Sequence, residues 1–224
     1  MGIADNIALL RKEIPQHVKI VAVSKTMQAS AVKEAYDAGH RAFGENRVQE
    51  MTDKQQLLPS DVEWHLIGHL QTNKVKYIVP FVHLIHSVDS LKLLAEINRE
   101  AARVGRKIDC LLQMRIAREE TKFGLQYTEA VQLLNSEEFK DFQHVRLTGL
   151  MGMATFTGDN SQIRDEFLQL GRFFKEFQNR WFLHVDSFRE LSMGMSGDYK
   201  LAIEAGSTMV RIGSLIFGER NFNR

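Results

Sequence analysis

The chain has 224 residues, 44% of them apolar and 25% charged, a balance that suits one globular domain with a large buried core. A net charge of +1 excludes the strong field expected of a nucleic-acid binder or an anionic-membrane binder, and no run approaches the ~18 apolar residues of a transmembrane helix. The single Cys110 excludes an internal disulfide, and the first residues lack the basic start and apolar run of a signal peptide, so a cytoplasmic location is expected.

One grammar recurs along the chain: a short apolar run, a polar loop, an amphipathic helix, often a glycine. Asp5 to Glu13 reads as a leading helix with Ile7, Leu10 and Ile14 on one face. Lys19 to Ser24 is the first strand, apolar without alternation and therefore buried on both faces. Ser30 opens a helix through Ala38, and Gly39 ends it. Arg41 to Gly44 is the second strand and Arg47 to Leu57 the next helix. Val62 to Ile67 is the third strand. A helix from Thr72 to Val79 stops before Pro80. Val82 to His86 is the fourth strand, and Ser90 caps a longer helix that ends at Gly105. Ile108 to Ile116 is the fifth strand, Thr128 to Asn135 a helix, and Val145 to Met151 the sixth strand. In the helix from Ser161 to Arg180, Ile163, Phe167, Leu170, Phe174 and Phe177 recur at steps of four and three. Glu190 to Met193, a helix from Tyr199 to Ala205, and Thr208 to Ile212 complete the pattern.

Strands alternating with helices predict parallel pairing, and eight such units predict a closed (β/α)8 barrel of the TIM type with an extra N-terminal helix. The alternative, an open doubly wound sheet, wants a G-x-G-x-x-G turn after a strand, and none occurs.

In a barrel every strand end faces one mouth. Lys25 ends the first strand there; it either simply reaches solvent or, as a partly dehydrated amine, can attack a carbonyl. The third strand delivers His65, expected to contact a ligand, then Gly68 and His69. The last two strands deliver Met193-Gly194-Met195-Ser196-Gly197 and Arg211-Ile212-Gly213-Ser214. Glycines and serines in turns after strands seven and eight either form a barrel phosphate site or merely make tight turns. Arg211 is a permanent cation that either faces a bound ring or pairs with a carboxylate. Asn46 either orients a ligand oxygen or caps the following helix. His65 and His69 are four apart, and His83 and His86 three apart. No carboxylate completes a known metal frame, so no metal is expected.

Taken together, Ala22-Val23-Ser24-Lys25-Thr26, Phe43-Gly44-Glu45-Asn46, the run from Trp64 through His65-Leu66-Ile67-Gly68-His69 to Lys74, Gly149-Leu150-Met151-Gly152-Met153, Leu191-Ser192-Met193-Gly194-Met195-Ser196 and Val210-Arg211-Ile212-Gly213-Ser214 resemble the pyridoxal phosphate homeostasis family, single-barrel relatives of the alanine racemase N-terminal domain. The matches span nearly the whole chain, so residues 1–224 are expected to form a single cofactor-binding barrel domain. The resemblance implies that Lys25 holds pyridoxal 5′-phosphate (PLP) as an internal aldimine, that Ser196, Gly213 and Ser214 hold the phosphate, that Arg211 faces the pyridine nitrogen, and that Asn46 lies near the cofactor. It implies a PLP carrier without catalytic turnover, monomeric, serving PLP-dependent apoenzymes; the alternative is a weak racemase-like enzyme. Met27 and Gln28 depart from the Thr-Lys-Pro run of many members, which removes a second lysine beside Lys25 and leaves Lys122 as another lysine near the mouth. Alanine racemase adds a β domain that supplies a second base, and no such segment is expected here.

Overall fold

The computed structural model describes residues 2–118 and 123–219; Lys122 lies outside them. Eight parallel strands close into a barrel in chain order, and the last pairs back on the first. The strands are β1 (Lys19–Val23), β2 (Ala42–Glu45), β3 (Glu63–Leu66), β4 (Leu84–Val88), β5 (Ile108–Gln113), β6 (Val145–Met151), β7 (Glu190–Met195) and β8 (Met209–Ile212). The helices around them are α1 (Ile3–Glu13), α2 (Ala29–Asp37), α3 (Val48–Gln55), α4 (Val75–Ile78), α5 (Leu91–Arg103), α6 (Tyr127–Asn135), α7 (Glu137–Lys140), α8 (Asn160–Trp181), α9 (Tyr199–Glu204) and α10 (Ser214–Phe217). The expected barrel and its leading helix are therefore both present. Asn6 Nδ2 donates to the Ile216 carbonyl at 3.0 Å, tying α1 to α10.

The core has two parts. A large apolar layer lies between strands and helices, with Phe43, Trp64, Phe167 and Phe177 among its buried side chains. A small cluster of Val21, Ala42, Leu84, Leu111, Met151 and Met209 fills the barrel interior. The two faces of each strand explain this: successive side chains alternate between helix layer and interior. Along β1, Lys19 borders a cavity at the amino-terminal face, Val21 packs inside, and Val23 and Lys25 line the carboxyl-terminal mouth. The period-two rule thus carries Lys25 to the mouth.

Several boundaries differ from the sequence reading. Thr72 opens a 3₁₀ turn, Thr72–Lys74, and the α-helix proper is only α4. The Val82–His86 strand starts two residues later, so His86 sits in the middle of β4. Ser90 caps α5 as expected, its side chain accepting from the Leu93 amide at 3.2 Å. Gly149 lets β6 approach β7: a Cβ there would lie 1.7 Å from the Glu190 carbonyl oxygen.

Candidate functional site

A cavity of about 860 Å³ opens at the carboxyl ends of the strands. Lys25, Asn46, Ser196, Arg211, Gly213 and Ser214 all line it. Six of the seven expected site residues thus converge from β1, β2, β7 and β8, although they span most of the sequence. His65 does not line it. Ile67 takes the mouth position on that strand, and His65, two residues earlier, lies one rung deeper and is fully buried. The expected ligand contact is replaced by a place inside the barrel wall.

Lys25 stands on a tight turn. Thr26 has φ +66°, an uncommon conformation for a β-branched residue, and its amide donates to Glu50 Oε2 at 2.8 Å. The Met27 amide donates to the Ser24 carbonyl at 3.0 Å, closing the turn. From the outer side, Lys54 Nζ donates to the same Ser24 carbonyl at 2.8 Å and to Glu45 Oε1 at 2.6 Å, and the Ser24 hydroxyl also donates to Glu45 Oε1 at 2.7 Å. Glu45 and Lys54 side chains are 0% and 8% exposed. Burial pushes the Glu45 carboxyl up from its ordinary value, and Lys54 opposes the shift. This pair braces the turn that carries Lys25.

Arg211 is 4% exposed. Its Nη1 donates to the Ser192 carbonyl at 2.9 Å and to Ser192 Oγ at 2.7 Å, and its Nη2 donates to the Gly152 carbonyl at 3.0 Å. Burial brings the guanidinium down to about 10, so it is a cation at neutral pH. Behind it runs a buried chain: Ser192 Oγ lies 3.0 Å from His86 Nδ1, and His86 Nε2 lies 2.8 Å from His65 Nδ1. Burial, foremost, holds His65 at about 4 and His86 well below its ordinary value, so both rings are neutral. Arg211 therefore reaches the mouth on a buried, hydrogen-bonded polar base.

On the same side of the mouth, at the ends of β7 and β8, the Ser196 hydroxyl accepts from the Gly213 amide at 3.2 Å. The first intrahelical bonds of α10 run from Ile216 and Phe217 to the Gly213 carbonyl, so the Ser214 and Leu215 amides precede them. A turn of this kind offers amide and hydroxyl donors to an anion.

His69, which the third strand end delivers to the mouth, lines the cavity, as do Gln113, Phe123 and Phe156, which the sequence does not single out. The His69 ring stacks on Phe123 at 4.3 Å, and Gln113 Nε2 donates to the Phe123 carbonyl at 3.0 Å. Gln113 had a signal, a polar residue in an apolar strand; Phe123 and Phe156, in loops, had none.

The chain matches the family described as alanine racemase, N-terminal domain, over residues 2–221. It is 38% identical over 205 residues to the pyridoxal phosphate homeostasis protein of Aquifex aeolicus, covering 91% of this chain and 88% of that one. The Escherichia coli homeostasis protein is 36% identical over 236 residues, covering 99% and 98%. The chain belongs to the pyridoxal phosphate homeostasis family. Among solved structures, PipY of Synechococcus elongatus with PLP bound is 38% identical, with a TM-score of 0.87 over 97% of this chain and all of that one. Alanine racemase of Clostridium difficile shares the barrel at a TM-score of 0.78 but only 15% identity, over 99% of this chain and 61% of that one. The family resemblance drawn from the strand-end motifs is thereby established.

Proposed function

We propose that this barrel binds PLP in the mouth cavity and serves to hold and supply the cofactor rather than to turn over amino acids. The observation that carries the reading is the pairing, in one cavity, of the Lys25 amine with the buried Arg211 cation. The donor set suits the group: an amine for an aldehyde, a Ser196, Gly213 and Ser214 turn for a phosphate, and Asn46 for a ring oxygen. Bound PLP supplies an electrophilic aldehyde and a ring able to accept electrons.

The residues decide how far that capacity is used. Lys25 is the amine that would hold the aldehyde of the cofactor. Arg211 would hold the ring nitrogen. A guanidinium held at about 10 donates a hydrogen bond but keeps its proton at neutral pH. Beside a donor that keeps its proton, a pyridine ring would be left unprotonated and would be a weaker electron acceptor. Ser192 and Gly152 fix the guanidinium in that role. The relatives' names, and the PLP-bound PipY structure, support this assignment. We extend the reading to a monomeric cytoplasmic carrier that serves PLP-dependent apoenzymes.

Borohydride reduction of the purified protein, followed by peptide mapping, tests the attachment point. The expected pyridoxyl label is on Lys25, and Lys25→Ala loses the near-visible absorption band. A label mainly on another lysine overturns the assignment. Deuterium exchange at the α-carbon of alanine separates carrier from racemase-like enzyme. Slow exchange beside a clear absorption band supports the carrier, and Lys25-dependent exchange at ordinary enzymatic rates refutes it.

A further inference from the structure

The end of the barrel opposite the mouth carries a second cluster. Glu63 opens β3, His65 follows two residues on, and His83 immediately precedes β4. The His83 amide donates to the Trp64 carbonyl at 2.8 Å, which sets it beside β3. Glu63 Oε2 lies 4.0 Å from His65 Nε2 and 4.0 Å from His83 Nε2. One ligand atom from each of the three residues lies within 4.8 Å of the others.

His65 points to a ligand independently of that clustering. Its side chain is 0% exposed, and its Nε2 has no hydrogen-bond partner among the described residues. The buried chain behind it can run in two directions. If His65 Nδ1 donates to His86, and His86 Nδ1 donates to Ser192, His65 Nε2 is a bare lone pair beside an anionic oxygen. If the chain runs the other way, Nε2–H faces the carboxylate at 4.0 Å, beyond hydrogen-bond reach. Each direction leaves a buried polar atom unsatisfied. A cation between the three groups satisfies the first. It takes the His65 lone pair and the Glu63 charge while His86 fixes the His65 tautomer, as outer partners of metal-bound histidines do.

We propose that Glu63, His65 and His83 form a binding site for one divalent transition-metal ion of the zinc class at the amino-terminal face of the barrel. Two imidazoles and one carboxylate suit such ions better than calcium or magnesium. Tetrahedral zinc with nitrogen ligands at about 2.0–2.1 Å sets ligand atoms about 3.3 Å apart. The trio closes by about an ångström to reach that spacing. His83, whose side chain is 46% exposed, can swing to do so. His83 borders a cavity of about 290 Å³ also lined by Lys19, Asp109, Arg146 and Glu190, and the Glu63 side chain is 35% exposed, so two of the three groups are reached from solvent. Lys19 Nζ sits 3.1 Å from Glu63 Oε2 and competes with the ion for that oxygen. Residue spacing alone offered no third ligand; strand pairing brings Glu63 and His83 together.

The test is titration of chelator-stripped protein with zinc sulfate, read by calorimetry and by competition with a chromophoric chelator. One equivalent is expected to bind the wild-type chain with micromolar or tighter affinity. His83→Ala and Glu63→Gln should each weaken binding at least tenfold. Lys19→Met should tighten it several-fold by freeing the carboxylate. His17→Ala, at an exposed histidine outside the trio, should change nothing. If Glu63→Gln fails to fold, His83→Ala, at a half-exposed side chain, decides alone. Absence of saturable zinc binding to the wild-type chain overturns the proposal, as does unchanged affinity in His83→Ala.

Discussion

Replacing Lys54 with Met removes the cation that braces the Lys25 turn and leaves the Glu45 carboxylate buried without its partner. The pair is 2.6 Å apart, with side chains 0% and 8% exposed. Among the described residues Glu45 Oε2 already lacks a hydrogen-bond partner, so none of them offers a spare donor to the orphaned charge. Breaking a buried ion pair from one side costs about 3–5 kcal/mol. For a chain of this length each kcal/mol lowers Tm by about 2–4 °C, so the expected drop is about 6–20 °C. The deficit depends on pH in a definite direction. Burial raises the folded-state pKa of Glu45, and loss of Lys54 removes the main opposing influence. A raised carboxyl favours the folded state below its unfolded pKa, and that favour is lost as pH rises through the folded value. The difference between wild type and Lys54→Met should therefore shrink as pH falls from 7 toward 5. Urea unfolding at both pH values measures it, and the double variant Glu45→Gln with Lys54→Met should recover most of the loss. A difference below about 1 kcal/mol at pH 7, or one that widens on acidification, refutes the reasoning.

Gly149→Ala should cripple folding, because the new Cβ meets the Glu190 carbonyl oxygen at 1.7 Å and must part β6 from β7; Gly158→Ala, in open space, is the control, and soluble yield with urea midpoints reads both. The His40 ring is buried, and burial, foremost, holds it at about 4. That depressed value contributes stability above pH 6.5 that is lost as pH falls toward 4, about 2 kcal/mol of it by pH 5; urea unfolding should show the loss, and His40→Gln should flatten it. Ser196→Ala removes a hydroxyl that also accepts from the Gly213 amide. It should weaken PLP about tenfold, near 1.4 kcal/mol, while pyridoxal without its phosphate is unaffected; fluorescence titration with both compounds distinguishes phosphate recognition from a general loss of the pocket.

The barrel was legible in the chain because its cause is local. Apolar runs such as Lys19 to Ser24, each followed by an amphipathic helix, admit parallel pairing, and eight of them close. The mouth residues Lys25, Asn46, Ser196, Arg211, Gly213 and Ser214 were legible for a related reason: parallel strands send all their carboxyl ends to one side, so sequence position after a strand already implies the cavity. Depth along a strand was not legible. The rung that a side chain occupies depends on where pairing begins and on the register with its neighbours. Thus Ile67, not His65, borders the cavity, and the later start of β4 sets His86 in the barrel wall. Contacts between elements were hidden as well. Lys54 reads as one more charged residue on a helix, and only the packing of α3 against β2 encloses it with Glu45. Glu63 and His83 are twenty residues apart in the chain, and it is the pairing of β3 with β4 that makes them neighbours. Local propensity and period determine which elements form and which way their ends point; burial and partnership of each polar side chain arise only when the closed sheet fixes distances between residues that the sequence keeps apart.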